Sequence, residues 1–174
     1  MKFQRYKRGQ IVLVDFSPSM GSELRGKHFA IVLTKNDSPN NGVLTVVPLS
    51  SKEKPYYLDI GNIVTKQIYP QLLNIVKELD TALDNLDISG TNDSNIVEVK
   101  KVLQNVNEFQ QVANIYSKKN KKSFALVQNI TTISKIRIKK PVNHYDPIKK
   151  LIADSLILDL IDNKIIELFT NNPK

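Results

Sequence analysis

Hydrophobic periodicity changes twice along this 174-residue chain, and the double switch restricts what it can fold into. Short β-branched runs come first: GQIVLVDF (9–16), FAIVLT (29–34), VLTVVPL (43–49) and YYLDI (56–60). Their lengths, and turn formers such as NDSPNNG (36–42) between them, predict strands joined by short turns, as in a small barrel or sandwich. Pro48 has no N–H to give a ladder, so it must mark an edge, a bulge or a strand's exit. From about Thr65 the spacing lengthens. Ile68, Leu72, Val76, Leu79, Leu83 and Leu86 recur in a heptad-like stripe, with Pro70 placed in the first turn of the predicted helix. Residues 87–95 read as a loop. A second stripe follows at Ile96, Val99, Leu103, Val106, Phe109 or Gln110, Ala113 and Tyr116. The two stripes predict an antiparallel helical hairpin inserted at about 65–117 into a single domain spanning 1–174. Strand character returns at 123–130 and 131–139. A terminal helix is expected from Asp146 as N-cap and Pro147 as first helical residue, packed on the sheet or on a neighbouring subunit. The class predicted is α+β.

Composition narrows the chemistry. There is no cysteine, so thiol nucleophiles, disulfides and thiolate metal sites are excluded. MKFQRYKRGQ is polar and basic, and no apolar stretch is long enough to span a bilayer. A soluble, cytoplasmic protein with no membrane association is expected. Net charge is +8 and unevenly placed. Residues 1–9 and 117–140 carry Lys and Arg without any acid, whereas 78–99 hold six acids and no Lys or Arg. Basic ends fit a polyanionic partner, and an acidic middle fits a separate structural unit that faces away from it.

The loop SPSMGSELRGKH (17–28) concentrates the candidate chemistry. Gly21 and Gly26 permit close backbone approach, while Ser22, Arg25 and Lys27 can donate to phosphate oxygens. Glu23 can orient Arg25 or His28. His28 can move a proton near neutral pH, though an imidazole at a strand end is by default simply bonded to backbone. Ser50 and Ser51, followed by Lys52, end the third predicted strand. If the second and third strands pair, His28 and Ser50 share a rim. A cation, a proton shuttle and hydroxyl donors are what phosphodiester cleavage needs when RNA supplies its own 2′-hydroxyl, and that route requires no metal or cofactor.

RGQIVLVDFSPSMGSELRGKHFAIVLT resembles the opening of the MazF/PemK toxins of toxin–antitoxin systems, with Gly9, Asp15, Pro18, Gly21, Glu23 and Gly26 at the motif positions. VVPLSSK resembles the family's third-strand end, and FALVQNITTIS its later strand and turn. The resemblance covers two blocks flanking the hairpin. It implies an SH3-like small β-barrel with a C-terminal helix, a homodimer, and a toxin that cleaves single-stranded RNA (mRNA) without metal. Such cleavage leaves 2′,3′-cyclic phosphate and 5′-hydroxyl ends. A cognate antitoxin would block the groove. The family's loop arginine aligns with His28, its threonine with Ser50, and its turn glutamine and arginine with Asn129 and Thr131, next to Gln128.

On that alignment Arg25 and Lys27 hold the scissile phosphate, His28 is the acid/base and Ser50 steadies the developing charge. Ser22, Glu23, Ser51, Lys52, Gln128, Asn129 and Thr131 complete the expected RNA contacts. Two rivals share the fold. One is a CcdB-like gyrase poison acting through IIELFTNNPK, and the other an inactive RNA-binding module that lacks the two arginines.

Overall fold

The computed structural model describes residues 2–21, 24–86, 93–117 and 121–170. The chain divides into two compact units: Met1–Val64, Lys121–Lys140 and Ile148–Lys174 make the first, Thr65–Asn120 and Pro141–Pro147 the second.

In the first unit, β1 (Ile11–Asp15), β2 (Lys27–Val32) and β3 (Val43–Ser50) form an antiparallel meander. The short strands β4 (Leu58–Asp59), β5 (Phe124–Ala125) and β6 (Thr131–Ser134) complete the sheet. Register pairs Val14 with His28, Ala30 with Pro48, and Val46 with Thr131. Alternate residues therefore share a face, and Val12, Val14, Phe16, Ala30, Val32, Leu44, Val46 and Ile133 form one buried cluster. The intervening Ile11, Ile31 and Val47 are also fully buried, which is why these strands read as continuous apolar runs rather than strict alternation. Each such side chain contributes roughly 1.5–3 kcal/mol by leaving water.

β2 begins two residues earlier than its apolar run, because Lys27 and His28 extend the ladder to Asp15 and Val14. They belong to a strand, and only the residues before them to the loop. Pro48 explains a further departure from expectation. Its carbonyl accepts from Leu126 N at 2.9 Å, so the missing N–H lies on the edge facing the 123–134 segment. There the partner cannot stay a strand. Phe124–Ala125 pair with Ser50 and Leu49, Val127–Asn129 turn out as a 3-10 helix, and pairing resumes at Thr131. The strand expected over 131–139 likewise stops at Ser134, where Lys135–Arg137 form a 3-10 turn. Beyond it, Ile138 bridges Val14 and Lys139 N donates to Leu13 O at 2.8 Å.

The terminal helix is shorter than expected. Pro147–Lys150 form only a 3-10 turn, Ile152 bridges Gln10, and the α-helix starts at Ser155. Asp154, not Asp146, is the N-cap, accepting from Ile157 N at 2.9 Å. Arg8 holds this helix through Asp162 while donating to Leu33 O at 2.7 Å. Gly9 lets β1 approach it: φ is +85°, and a Cβ there would lie 3.2 Å from both Ala153 O and Leu158 Cδ1. Gly9→Ala should thus cost about 1–3 kcal/mol, read as a melting temperature lower by several degrees in a circular-dichroism melt.

The second unit carries most of α1 (Ile63–Asp84) and all of α2 (Asp93–Ser117). α1 starts before Thr65, so Pro70 lies inside it rather than in its first turn. Pro70 and Lys66, whose carbonyl goes unbonded there, are both exposed, so water can satisfy the gap. Ile68 and Leu79 are buried as predicted, but Leu83 is exposed. On α2 the predicted stripe holds at Tyr116, which is buried, but Val102 and Val112 are buried beside it while Ile96 and Leu103 face solvent. Tyr116 is anchored by a polar contact. Its hydroxyl donates to Asp146 Oδ1 at 2.7 Å, and Asp146 Oδ2 accepts from Val142 N at 3.0 Å. Burial, then the Asp146 carboxylate, push the Tyr116 phenol far above its ordinary range.

Candidate nucleic-acid interface

The β1–β2 loop is closed at its base by short-range bonds its sequence dictates. Asp15 Oδ1 accepts from Ser17 N at 3.1 Å, Ser17 Oγ accepts from Gly26 N at 3.2 Å, and Phe16 N donates to Gly26 O at 2.9 Å. Gly26 sits at φ +80°, a conformation L side chains resist. Asp15 Oδ2 pairs with Lys139 at 3.0 Å; that hydrogen bond, then the Ser17 amide, hold the carboxyl below its ordinary range.

Arg25 is exposed, and its Nη2 donates back to Gly21 O at 3.2 Å. His28 is half-buried and spans two elements. Nδ1 lies 3.2 Å from Leu49 O and Nε2 lies 2.9 Å from Arg25 O, while the ring meets Phe16 edge-on at 6.3 Å. The default contact of a strand-end imidazole is thus present on both nitrogens. Strand alternation puts His28, Pro48 and Ser50 on the face of the Val14–Ala30–Val46 cluster, and continuing the β2–β3 register two residues past Ala30 and Pro48 sets His28 opposite Ser50. Ser50 Oγ accepts from Lys52 N at 3.0 Å, which leaves its own proton to donate. Lys27, Ser51 and Lys52 are exposed. Ser22 and Glu23 lie outside the described residues.

On the same face opens a groove of about 530 Å³. Phe16, Pro18, Leu24 and Pro48 give it an apolar side. The 129–137 segment gives it a mixed one, with Asn129, Thr131, Thr132, Ser134 and Arg137 interleaved by Ile130 and Ile133. Of the expected RNA contacts, Asn129 and Thr131 line it, and Gln128 sits exposed on the adjoining 3-10 turn. Arg25, His28 and Ser50 do not line it. They border it through Leu24, through the Phe16 ring and through Pro48, two residues along the same strand face. Arg137 is the residue that reading the sequence missed. In a regular strand Lys135, Arg137 and Lys139 would share one face; the 3-10 turn sends them to three different places instead.

Residues 7–107, more than half of the chain, match the family described as PemK-like, MazF-like toxin of type II toxin–antitoxin system. The chain belongs to that family. The match takes in β1 to β4, α1 and part of α2, and so includes the 17–28 loop and Ser50 of this PemK/MazF-like toxin; it ends before Gln128. The crystal structure of MazF (Form-I) from Deinococcus radiodurans is similar at 15% identity and a TM-score of 0.46, over 94% of each chain. No curated protein matches. Membership of a type II toxin family implies a cognate antitoxin. Among the described residues no helix is long and apolar enough to cross a membrane, and no three His, Cys, Asp or Glu side chains gather as metal ligands do. The gyrase alternative rested on the C-terminal residues, of which 171–174 lie outside the described residues.

Proposed function

We propose that this toxin is an endoribonuclease that cuts single-stranded RNA, in the cell mRNA in the cytoplasm, by attack of the 2′-hydroxyl on the adjacent phosphorus. The products are 2′,3′-cyclic phosphate and 5′-hydroxyl ends, and no metal takes part. The observation that carries the reading is the placement of His28 and Ser50 on one sheet face, bordered by Arg25 and by a groove that carries Asn129, Thr131 and Arg137.

In this mechanism Arg25 and Lys27 hold the scissile phosphate, with Ser22, Glu23, Ser51 and Lys52 flanking the strand. His28 Nε2 leaves the Arg25 carbonyl, its more exposed contact, and takes the 2′-hydroxyl proton or delivers one to the departing 5′-oxygen. The Ser50 hydroxyl, whose proton is free to donate, steadies charge on the phosphorane-like transition state. We infer further that the Val14–Ile138 bridge marks a closed SH3-like barrel, that a single domain carries the helical insertion, and that two chains pair under control of the antitoxin.

A second reading, a noncatalytic RNA-binding module, is favoured by one feature: both His28 nitrogens already face backbone carbonyls. One experiment separates the two. Purified full-length protein is incubated with a long single-stranded RNA in excess EDTA and the ends are mapped. Cyclic-phosphate and 5′-hydroxyl ends are expected; retention of intact RNA on the protein would select the binding module, and cutting only after metal is restored would refute the route.

A further inference from the structure

Arg137 is the one charged side chain lining the groove among the described residues. It is half-buried, and its guanidinium makes no hydrogen bond or ion pair with any described residue. A half-buried arginine can pack its stem on apolar surface while its guanidinium stays open to the groove, where five N–H donors can meet an anion. The acids that pair with its neighbours in sequence are already engaged: Asp15 with Lys139, and Asp37 with Lys135.

The backbone beneath Arg137 is fixed on both sides. Before it, Lys135 Nζ is buried against Asp37 Oδ1 at 2.8 Å and donates to Gln4 O and Ser38 O, while Lys135 N donates to Gly42 O. After it, Ile138 and Lys139 are tied to β1. A cation with a rigid base and an unoccupied head is preorganised for an anion. In the same groove, Phe16, Leu24 and Pro48 supply an apolar surface suited to a base, and Thr131, Thr132 and Asn129 supply neutral donors and acceptors suited to a ribose and a base edge.

We propose that this groove is a nucleotide subsite beside the scissile position. Arg137 binds the phosphate of a neighbouring nucleotide, and the Phe16–Leu24–Pro48 surface takes its base. The subsite rests on the RNA reading above and supplies the second cation absent at Thr131. Its test uses single-stranded RNA methylated at every 2′-oxygen, which 2′-hydroxyl attack cannot cut. Affinity is measured against salt for the full-length protein, Arg137→Gln and Arg137→Lys. Arg137→Gln should bind roughly tenfold more weakly near 0.1 M salt. Its slope of log affinity on log salt should be smaller by about 0.7, the value for one single-strand phosphate contact, while Arg137→Lys keeps the parent slope. An unchanged slope in Arg137→Gln overturns the subsite and leaves the nuclease reading standing. Failure of the parent protein both to bind this RNA and to cut the unmethylated form refutes the reading itself, and the subsite with it.

Discussion

Asp37→Ala is expected to destabilise the protein by about 3–5 kcal/mol, a large part of what a domain has in reserve. Lys135 and Asp37 are both buried, at 3% and 0% side-chain exposure, and they face each other at 2.8 Å. Removing the carboxylate leaves an ammonium between the Phe3 and Tyr6 rings with only two carbonyls to receive its protons. It also strips Tyr6 N of its acceptor, Oδ2 at 2.8 Å. A circular-dichroism melt should show the transition lowered by roughly 10 °C. The pair Asp37→Leu with Lys135→Met should recover much of the loss, since the penalty comes from the orphaned charge; a double variant as unstable as Asp37→Ala would contradict this origin. Acid should act the same way. Burial alone would push the Asp37 carboxyl up, but Lys135 and the Tyr6 and Ser38 amides outweigh it and hold it below its ordinary range. A lowered folded value means the contribution is complete above the unfolded value, about pH 4, and is lost as pH falls through the folded one.

That pair also shows where the sequence stops speaking. Strand existence was readable at Ile11–Asp15, Lys27–Val32 and Val43–Ser50 because β-branched runs bounded by turn formers have few other uses. The two helices were readable from spacing alone, yet the burial of Val102 in place of Leu103 was not, and neither was the bond from Tyr116 to Asp146, thirty residues away in sequence. The break after Ala125 has the same character: Pro48 causes it from a different strand. In the candidate site, the loop and Ser50 stood out as clusters of donors near glycine. Arg137 did not, since it looked like one of eight basic residues in a charged segment. Its lack of a partner among the described residues goes with the 3-10 turn at Lys135–Arg137, where Lys135 faces inward to Asp37.

His28→Ala is expected to slow RNA cleavage by roughly 10²–10⁴-fold, the range for loss of a positioned acid or base. The ring also has a structural task, and the geometry separates it from the proposed one. It ties the Arg25 carbonyl to the Leu49 carbonyl, so the alanine variant also frees the loop from the end of β3. A neutral imidazole carries one N–H and can serve only one of those carbonyls, whereas the cationic ring serves both. On the proposed mechanism, proton transfer and loop tethering are coupled through the same two nitrogens: a ring that gives up a proton must release one carbonyl. Glutamine at position 28 has amide hydrogens to hold a carbonyl but no proton to exchange. If His28→Gln cuts as slowly as His28→Ala while binding methylated RNA like the parent, the imidazole is the acid/base. If His28→Gln cuts within a few fold of the parent, the imidazole only positions the loop, and the proton must pass to solvent or to the RNA itself.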